Sequence, residues 1–259
     1  MNMTRGIALT GAALMASTMI AQAADLNRGY GGRGSIKDDH SYVSAPTGCP
    51  TTYVRIDGGY SSFDRPAFSQ VGIDDHVNSR IEGSGSIGGG IGRYFTCNIR
   101  GEIAVDHRFK SDVSSFNPNP FAPNYGPMKW SYESTAVMAN FYYDFNMRSR
   151  FTPYIGFGLG AVHNEFSRGT GTVGAGGLSP GAATTVAAGD KWSAAGAFMT
   201  GFVFNVRDRL KLDTGYRFIY MGDVSTGQTA SSAGGFGGPI HADNLHAHEF
   251  RVGLRYDIR

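Results

Sequence analysis

His248-Glu-Phe-Arg-Val-Gly-Leu-Arg-Tyr-Asp-Ile-Arg259 closes the chain, and its reading decides the fold. In an extended strand successive side chains point to opposite faces, so Phe250, Val252, Leu254, Tyr256 and Ile258 share one face. Glu249, Arg251, Gly253, Arg255 and Asp257 share the other. A strand of this length with one apolar and one charged face can cross a bilayer when tilted, as a member of a closed sheet.

Working back from this strand, the same alternation recurs. Residues 210–221 set Leu210, Leu212, Tyr216, Phe218 and Tyr220 against Lys211, Asp213, Gly215 and Arg217. Arg207-Asp208-Arg209 joins them to residues 192–206, which carry Phe198, Phe202 and Phe204 at even spacing. In residues 151–168, Ile155, Phe157 and Leu159 alternate with glycines. In 134–145, Val137, Ala139, Phe141, Tyr143 and Phe145 oppose Asn140, Tyr142 and Asp144. Residues 99–109 set Ile99, Ile103 and Val105 against Arg100, Glu102, Asp106 and Arg108, and a tight turn containing Cys97 leads back to the glycine-rich segment 84–96. There Arg93 falls in step with Ile87 and Ile91, which leaves its facing open. Residues 53–64 complete the set, with Val54, Ile56 and Tyr60 against Arg55, Asp57 and Gly59.

Between these eight segments the connections alternate long and short. The four long ones are polar or rich in glycine and proline. The segment after Phe109 carries Pro118, Pro120, Pro123 and Pro127, which should forbid a paired strand over most of it. Residues 169–189 are a low-complexity Gly, Ala and Thr run, too polar and flexible to pack alone. The expected fold is therefore all-β: an eight-stranded antiparallel up-and-down transmembrane β-barrel with short periplasmic turns and four long external loops.

The start of the chain supplies an address. Arg5, the mostly apolar run 7–20 and Ala21-Gln22-Ala23 read as a cleaved secretory leader over residues 1–23. The other reading, an uncleaved anchor, needs a longer apolar run. Nowhere else are there eighteen consecutive apolar residues, which excludes a helical membrane protein. Residues 24–52 read as a flexible periplasmic tail and 53–259 as the barrel. A net charge of +2 argues against nucleic acid as the main partner, while 38 Gly, 17 Phe and 13 Tyr suit strands and tight interiors.

Alternation alone is symmetric, because a soluble lipocalin-type barrel could turn the same charges outward. Three features place the apolar face in lipid. Arg outnumbers Lys 18 to 5, with only Lys211 in an expected strand, and arginine suits charges that must pair in a crowded interior. Aromatic residues gather at strand ends as two interfacial girdles: Phe95, Phe145, Phe151, Tyr154, Phe204 and Tyr256 at the turn end, Phe109, Tyr132, Phe166, Trp192 and Tyr220 at the loop end. Glycines crowd the opposite face where a narrow lumen leaves little room. The expected interior set is Arg55, Asp57, Arg100, Glu102, Asp106, Arg108, Asp144, Lys211, Asp213, Arg217, Glu249, Arg251, Arg255 and Asp257. It would act as a mutually neutralising plug or, on the sharper reading, line a small ion pathway; a lumen just wide enough to be filled by side chains supports the plug.

Two cysteines in an exported chain invite a bridge, and Cys49 before the first strand and Cys97 in the first short turn would both lie at the periplasmic end. Two free thiols are the other reading. The histidines specify no catalytic spacing. His76, His107 and His163 are scattered, and His241, His246, His248 and Asp243 would at most hold a transition metal weakly. No catalytic, cofactor-binding or metal site is expected.

On the Ala21-Gln-Ala-Ala-Asp-Leu26 cleavage region, the eight alternating strands and Arg251-Val-Gly-Leu-Arg-Tyr-Asp-Ile-Arg259, the chain resembles the small outer-membrane β-barrel family of the OmpA transmembrane domain, OmpX and the porin-like surface antigens of alphaproteobacteria. The resemblance covers residues 53–259. It implies a location in the cell outer membrane and a structural, surface-exposed, non-catalytic role, with a narrow pore and an outer-membrane hydrolase as the alternatives. The partners it implies are outer-membrane lipid and lipopolysaccharide, the barrel-assembly machinery, and host or surface ligands reached through the loops. Such barrels usually end in an aromatic residue; here Tyr256 is the last one.

Overall fold

The computed structural model describes residues 51–70, 75–122, 124–146 and 149–258. The proposed leader, Cys49, all but the last two residues of the tail, and Arg259 lie outside them. Fourteen strands are present: β1 (Thr52–Phe63), β2 (Ala67–Gln70), β3 (Val77–Ile81), β4 (Ser84–Tyr94), β5 (Ile99–Asn117), β6 (Gly126–Asp144), β7 (Phe151–Phe166), β8 (Gly169–Thr172), β9 (Ala183–Val186), β10 (Gly189–Asn205), β11 (Leu210–Tyr220), β12 (Val224–Ser231), β13 (Phe236–Asp243) and β14 (His246–Ile258). No described helix is long and apolar enough to cross a membrane.

Eight of these strands close a barrel in the order β1-β4-β5-β6-β7-β10-β11-β14, and β14 pairs antiparallel with β1 from Thr52↔Ile258 to Phe63↔Ala247. Closure satisfies every strand edge, which a lipid environment demands. The alternation read from the sequence sets the facing. Ile91, Leu159 and Phe250 are 67%, 66% and 59% exposed on the outer wall, where lipid would cover them, while Glu249 and Arg251 on either side of Phe250 are buried. Arg93 also points outward, near the turn end. Glycines of β4 face the lumen and make room for what the opposite wall sends in. A Cβ at Gly90 would meet the Glu102 side chain, and one at Gly92 would collide with the Tyr53 ring.

Beyond the barrel the connections are not plain loops. β5 and β6 run on as a paired ribbon to Asn117↔Gly126, so the proline-rich segment contains a strand the prolines were expected to forbid. Pro127 is the second residue of β6, opposite Phe116, and a missing N–H is tolerated near a strand end. Within β5 the register shifts between Arg108 and Ser111, a bulge that turns both Phe109 and Lys110 outward. The inward phase thereby changes from Arg108 to Ser111, Val113, Ser115 and Asn117. The low-complexity run forms the β8–β9 hairpin, which pairs with β6 and β12 and so packs through its neighbours.

The outer strand segments follow one another in the order β3-β5-β6-β8-β9-β12-β13-β2. The two end strands meet where the His76 N–H donates to the Phe68 carbonyl at 2.9 Å. The result is a second, smaller sheet ring, here called the head. Its apolar interior includes Phe68, Ile81, Val113, Met128, Trp130, Met221, Val224 and Ile240.

Three expected girdle residues are corrected by this arrangement. Tyr132, Tyr154 and Phe166 are 1%, 5% and 3% exposed and lie inside. Each has the parity of the lumen face of its strand, and proximity to a strand end does not override parity. Phe95, Phe109, Phe145, Phe151, Trp192, Phe204, Tyr220 and Tyr256 do face outward. Lys110, Lys129 and Lys191 also fall in strands, in outer portions exposed to solvent, so Lys211 is not alone in strand structure.

Candidate functional site

β1, β5, β6, β11 and β14 point fourteen charged side chains into the lumen, seven cationic and seven anionic. Thirteen are buried, and the side chain of Lys211 is 16% exposed. Desolvating so many charges is costly unless each finds an opposite partner, and the balance of sign makes that possible.

At the turn end, Lys211 Nζ lies 2.6 Å from Asp257, and Arg255 lies 3.8 Å from Asp213, whose other oxygen accepts the Tyr154 hydroxyl at 2.9 Å. Arg100 pairs with Asp144 at 3.1 Å, and its guanidinium stacks 3.8 Å from the centre of the Tyr142 ring. This explains why Tyr154 and Tyr142 face inward: each gives the low-dielectric interior an aromatic surface and a hydroxyl. At mid-height Arg55 donates to Glu102 at 2.8 Å, and Arg251 bridges Asp57 and Asp106. Toward the head, Arg217 joins Asp106 at 2.7 Å to Glu249 at 2.5 Å, and Arg108 donates to Glu249 at 2.6 Å.

The Arg217–Asp106 pair decides what this network can do. β11 and β5 are four strands apart around the eight-stranded barrel, so the bond runs from one wall to the opposite one. A cavity beside Arg55, Asp57 and Arg217 has a volume of about 10 Å³, room for one water. Above it the apolar core of the head begins with Met138, Ile219, Tyr132 and Phe166.

The histidines sit elsewhere. His107 (bonded to Thr135 at 3.0 Å) and His163 (3.0 Å from Glu165, 3.2 Å from Asp190 and stacked on Trp192) lie on the outer wall near the head. Neither bonds a serine or cysteine nucleophile among the described residues. His246 and His248 turn to Asp64, at 2.8 and 3.4 Å, because the β1–β14 register runs on to bring Asp64 beside them. That is a correction to the grouping with Asp243 and His241, which belong to β13. Among the described residues no group of three or more His, Cys, Asp or Glu is arranged to hold a metal.

His76 is buried in the head, 2.5 Å from Ser115 Oγ and 3.4 Å from Gln70 Oε1. No spacing pattern pointed to it, because one partner, Ser115, comes from β5, distant in the chain, and the other, Gln70, lies across the same connection. Cys97 lies in the β4–β5 turn beside the start of β1, where the Tyr94 N–H donates to the Thr51 carbonyl at 3.0 Å. Cys49 is outside the described residues, and its bridge to Cys97 is a proposal.

Comparison with known proteins gives one family. The model of the outer membrane protein beta-barrel domain matches residues 8–257. An uncharacterized protein of Brucella abortus (strain 2308) is 30% identical over 219 residues, covering 73% of this chain and 74% of that one. Outer membrane protein PagN of Salmonella typhimurium is 26% identical over 224 residues, covering 83% and 88%. Among solved structures, outer membrane protein OprG from Pseudomonas aeruginosa superposes with a TM-score of 0.51 at 11% identity, covering 82% of this chain and 99% of that one, a likeness of fold.

Proposed function

This chain belongs to the outer membrane protein beta-barrel domain family, and on that premise we propose that it is a non-catalytic surface protein whose closed barrel anchors the head outside the cell. Its location is the outer membrane. The observation that carries the reading is the Arg217–Asp106 bond across the full width of the lumen. With an apolar core stacked above it, the interior supports a solid strut more than a passage, and the fourteen charges serve to hold the walls at fixed spacing. Phe250, Val252, Leu254, Tyr256 and Ile258 then meet lipid, and the closing strand that carries them is what the assembly machinery engages. Lipopolysaccharide surrounds the outer rim, and the head is the part left for contact with ligands. No cofactor enters this reading.

Conductance separates this reading from a narrow pore. The refolded protein in planar bilayers should give no steady single-channel current, and a reproducible unitary conductance would overturn the strut. The surface role has its own measurement: a strain lacking the protein should lose envelope resistance to detergent or binding to surfaces, and a barrel with β2, β3, β8, β9, β12 and β13 replaced by short turns should fail to restore the binding. Full restoration by the headless barrel would refute the assignment of contact to the head.

A further inference from the structure

The head carries a buried polar cluster that the strut does not use. Gln70 at the end of β2 donates through Nε2 to Thr229 Oγ1 of β12 at 2.9 Å and to the Gly238 carbonyl of β13 at 2.6 Å. Those two acceptors fix its amide orientation, so Oε1 points the other way. It accepts from Asn124 Nδ2 at 3.0 Å and faces His76 Nε2 at 3.4 Å. Asn124 in turn accepts from Asn117 Nδ2 at 3.0 Å, and His76 Nδ1 lies 2.5 Å from Ser115 Oγ. One residue set thus ties together the first connection (Gln70, His76), the β5–β6 connection (Ser115, Asn117, Asn124) and the β12–β13 hairpin.

Gln70 Oε1 can only accept, so Nε2 carries a proton, and the Ser115 hydroxyl, which can donate or accept, donates to Nδ1 when the ring is neutral; what opposes a second proton is burial among uncharged partners. Every polar atom of the ring is then satisfied without charge. A second proton would place a cation where the described partners, Gln70, Ser115, Asn117, Asn124 and Thr229, are all neutral. The charge acting on the ring is Asp75, exposed and next to it in the chain. Arg80 of β3 is exposed, and His241 of β13 has the parity opposite to the buried Ile240 and Ala242, so both point away from the cluster.

We propose that His76 is an acid-sensitive latch of the head: when it takes up a second proton, the first connection releases from β5 and from the β12–β13 hairpin, and the external contact surface rearranges while the barrel below stays closed. Burial supports the direction, pushing the imidazole down from 6.5 to about 4, with Asp75 opposing. The closed head therefore binds fewer protons than the open one between these values. Its stability is complete above pH 6.5, falls as pH drops below 6.5, and levels off below about pH 4. Between pH 7 and pH 5 the opening equilibrium should rise about 20-fold.

Hydrogen exchange measured by mass spectrometry on the refolded full chain in detergent, corrected for the intrinsic pH dependence of exchange, tests this. Amides of residues 65–70, 75–83, 111–122, 124–131 and 224–243 should open about 20-fold more at pH 5 than at pH 7, with residues 246–258 unchanged. In His76→Gln the same segments should show no such pH response. If that variant opens the head at every pH, Asp75→Asn decides: removing the carboxylate makes protonation of the closed head harder, so the onset should stay near pH 6.5 while the pH at which opening levels off should move lower. An unchanged head in the wild type at pH 5, an undiminished response in His76→Gln, or an unshifted levelling-off in Asp75→Asn each overturns the latch.

Discussion

Glu249→Gln removes one charge from the lumen while keeping the side chain's shape, and the structure sets the size of the effect. Glu249 is fully buried and accepts from Arg108 Nε at 2.6 Å, Arg217 Nε at 2.5 Å and Ser61 Oγ at 2.9 Å. Arg217 retains Asp106 after the change. Arg108 has no second carboxylate within salt-bridge distance among the described residues; it keeps a side-chain hydrogen bond to Ser134 at 3.5 Å and the longer-range field of Asp106. An arginine stripped of its partner in a low-dielectric interior costs about 3–5 kcal/mol, and this one orphan should dominate. Unfolding by urea in lipid vesicles, followed by the emission of Trp130 and Trp192, reads the loss directly. Arg108→Met combined with Glu249→Gln removes the orphan together with its partner, and the double variant should recover most of the stability. A single-variant loss below about 1 kcal/mol, or a double variant as unstable as the two singles summed, would refute the claim that these charges act as a coupled strut.

Other expectations follow from different parts of the molecule. Leu254→Arg places a charge on the lipid face and should destabilise the folded barrel by about 2–4 kcal/mol if the residue lies near the bilayer midplane, while the same protein in mild detergent should lose less. Gly88→Val should disrupt the network without adding any charge, because its Cβ would collide with Asp106 Oδ1 and crowd Arg251; a loss of heat-resistant compact migration on gels measures it, and wild-type behaviour would count against the packing. The proposed Cys49–Cys97 bridge should survive as a linked peptide pair in non-reducing mass maps, and its reduction should cost at most about 4 kcal/mol. Two free thiols in the exported protein would dispose of it.

The eight barrel strands were legible because their signal is local. A two-residue period in β14, β11 or β6 shows in a dozen residues whatever they pack against, and long and short connections distinguish the two ends. The limits of that signal appear at Tyr132, Tyr154 and Phe166, where a place near the strand end suggests an outward girdle and parity turns the ring inward. They appear again at β8 and β9, whose Gly, Ala and Thr residues carry no period at all. The head strands are strands because β6 and β12 offer them partners, and partners are a tertiary fact.

The sequence by itself determined that the chain forms alternating strands, which residues share a face, and that the opposed faces differ in polarity, since these depend only on the pleat and on side-chain chemistry. Tertiary structure decided the rest. The bulge at Phe109 and Lys110 changes the inward phase of β5, the outer segments close into a head, and charges find partners as far apart in sequence as Asp57 and Arg251. Those outcomes depend on barrel closure and on register between strands distant in the chain, and the pattern within a single strand contains neither quantity.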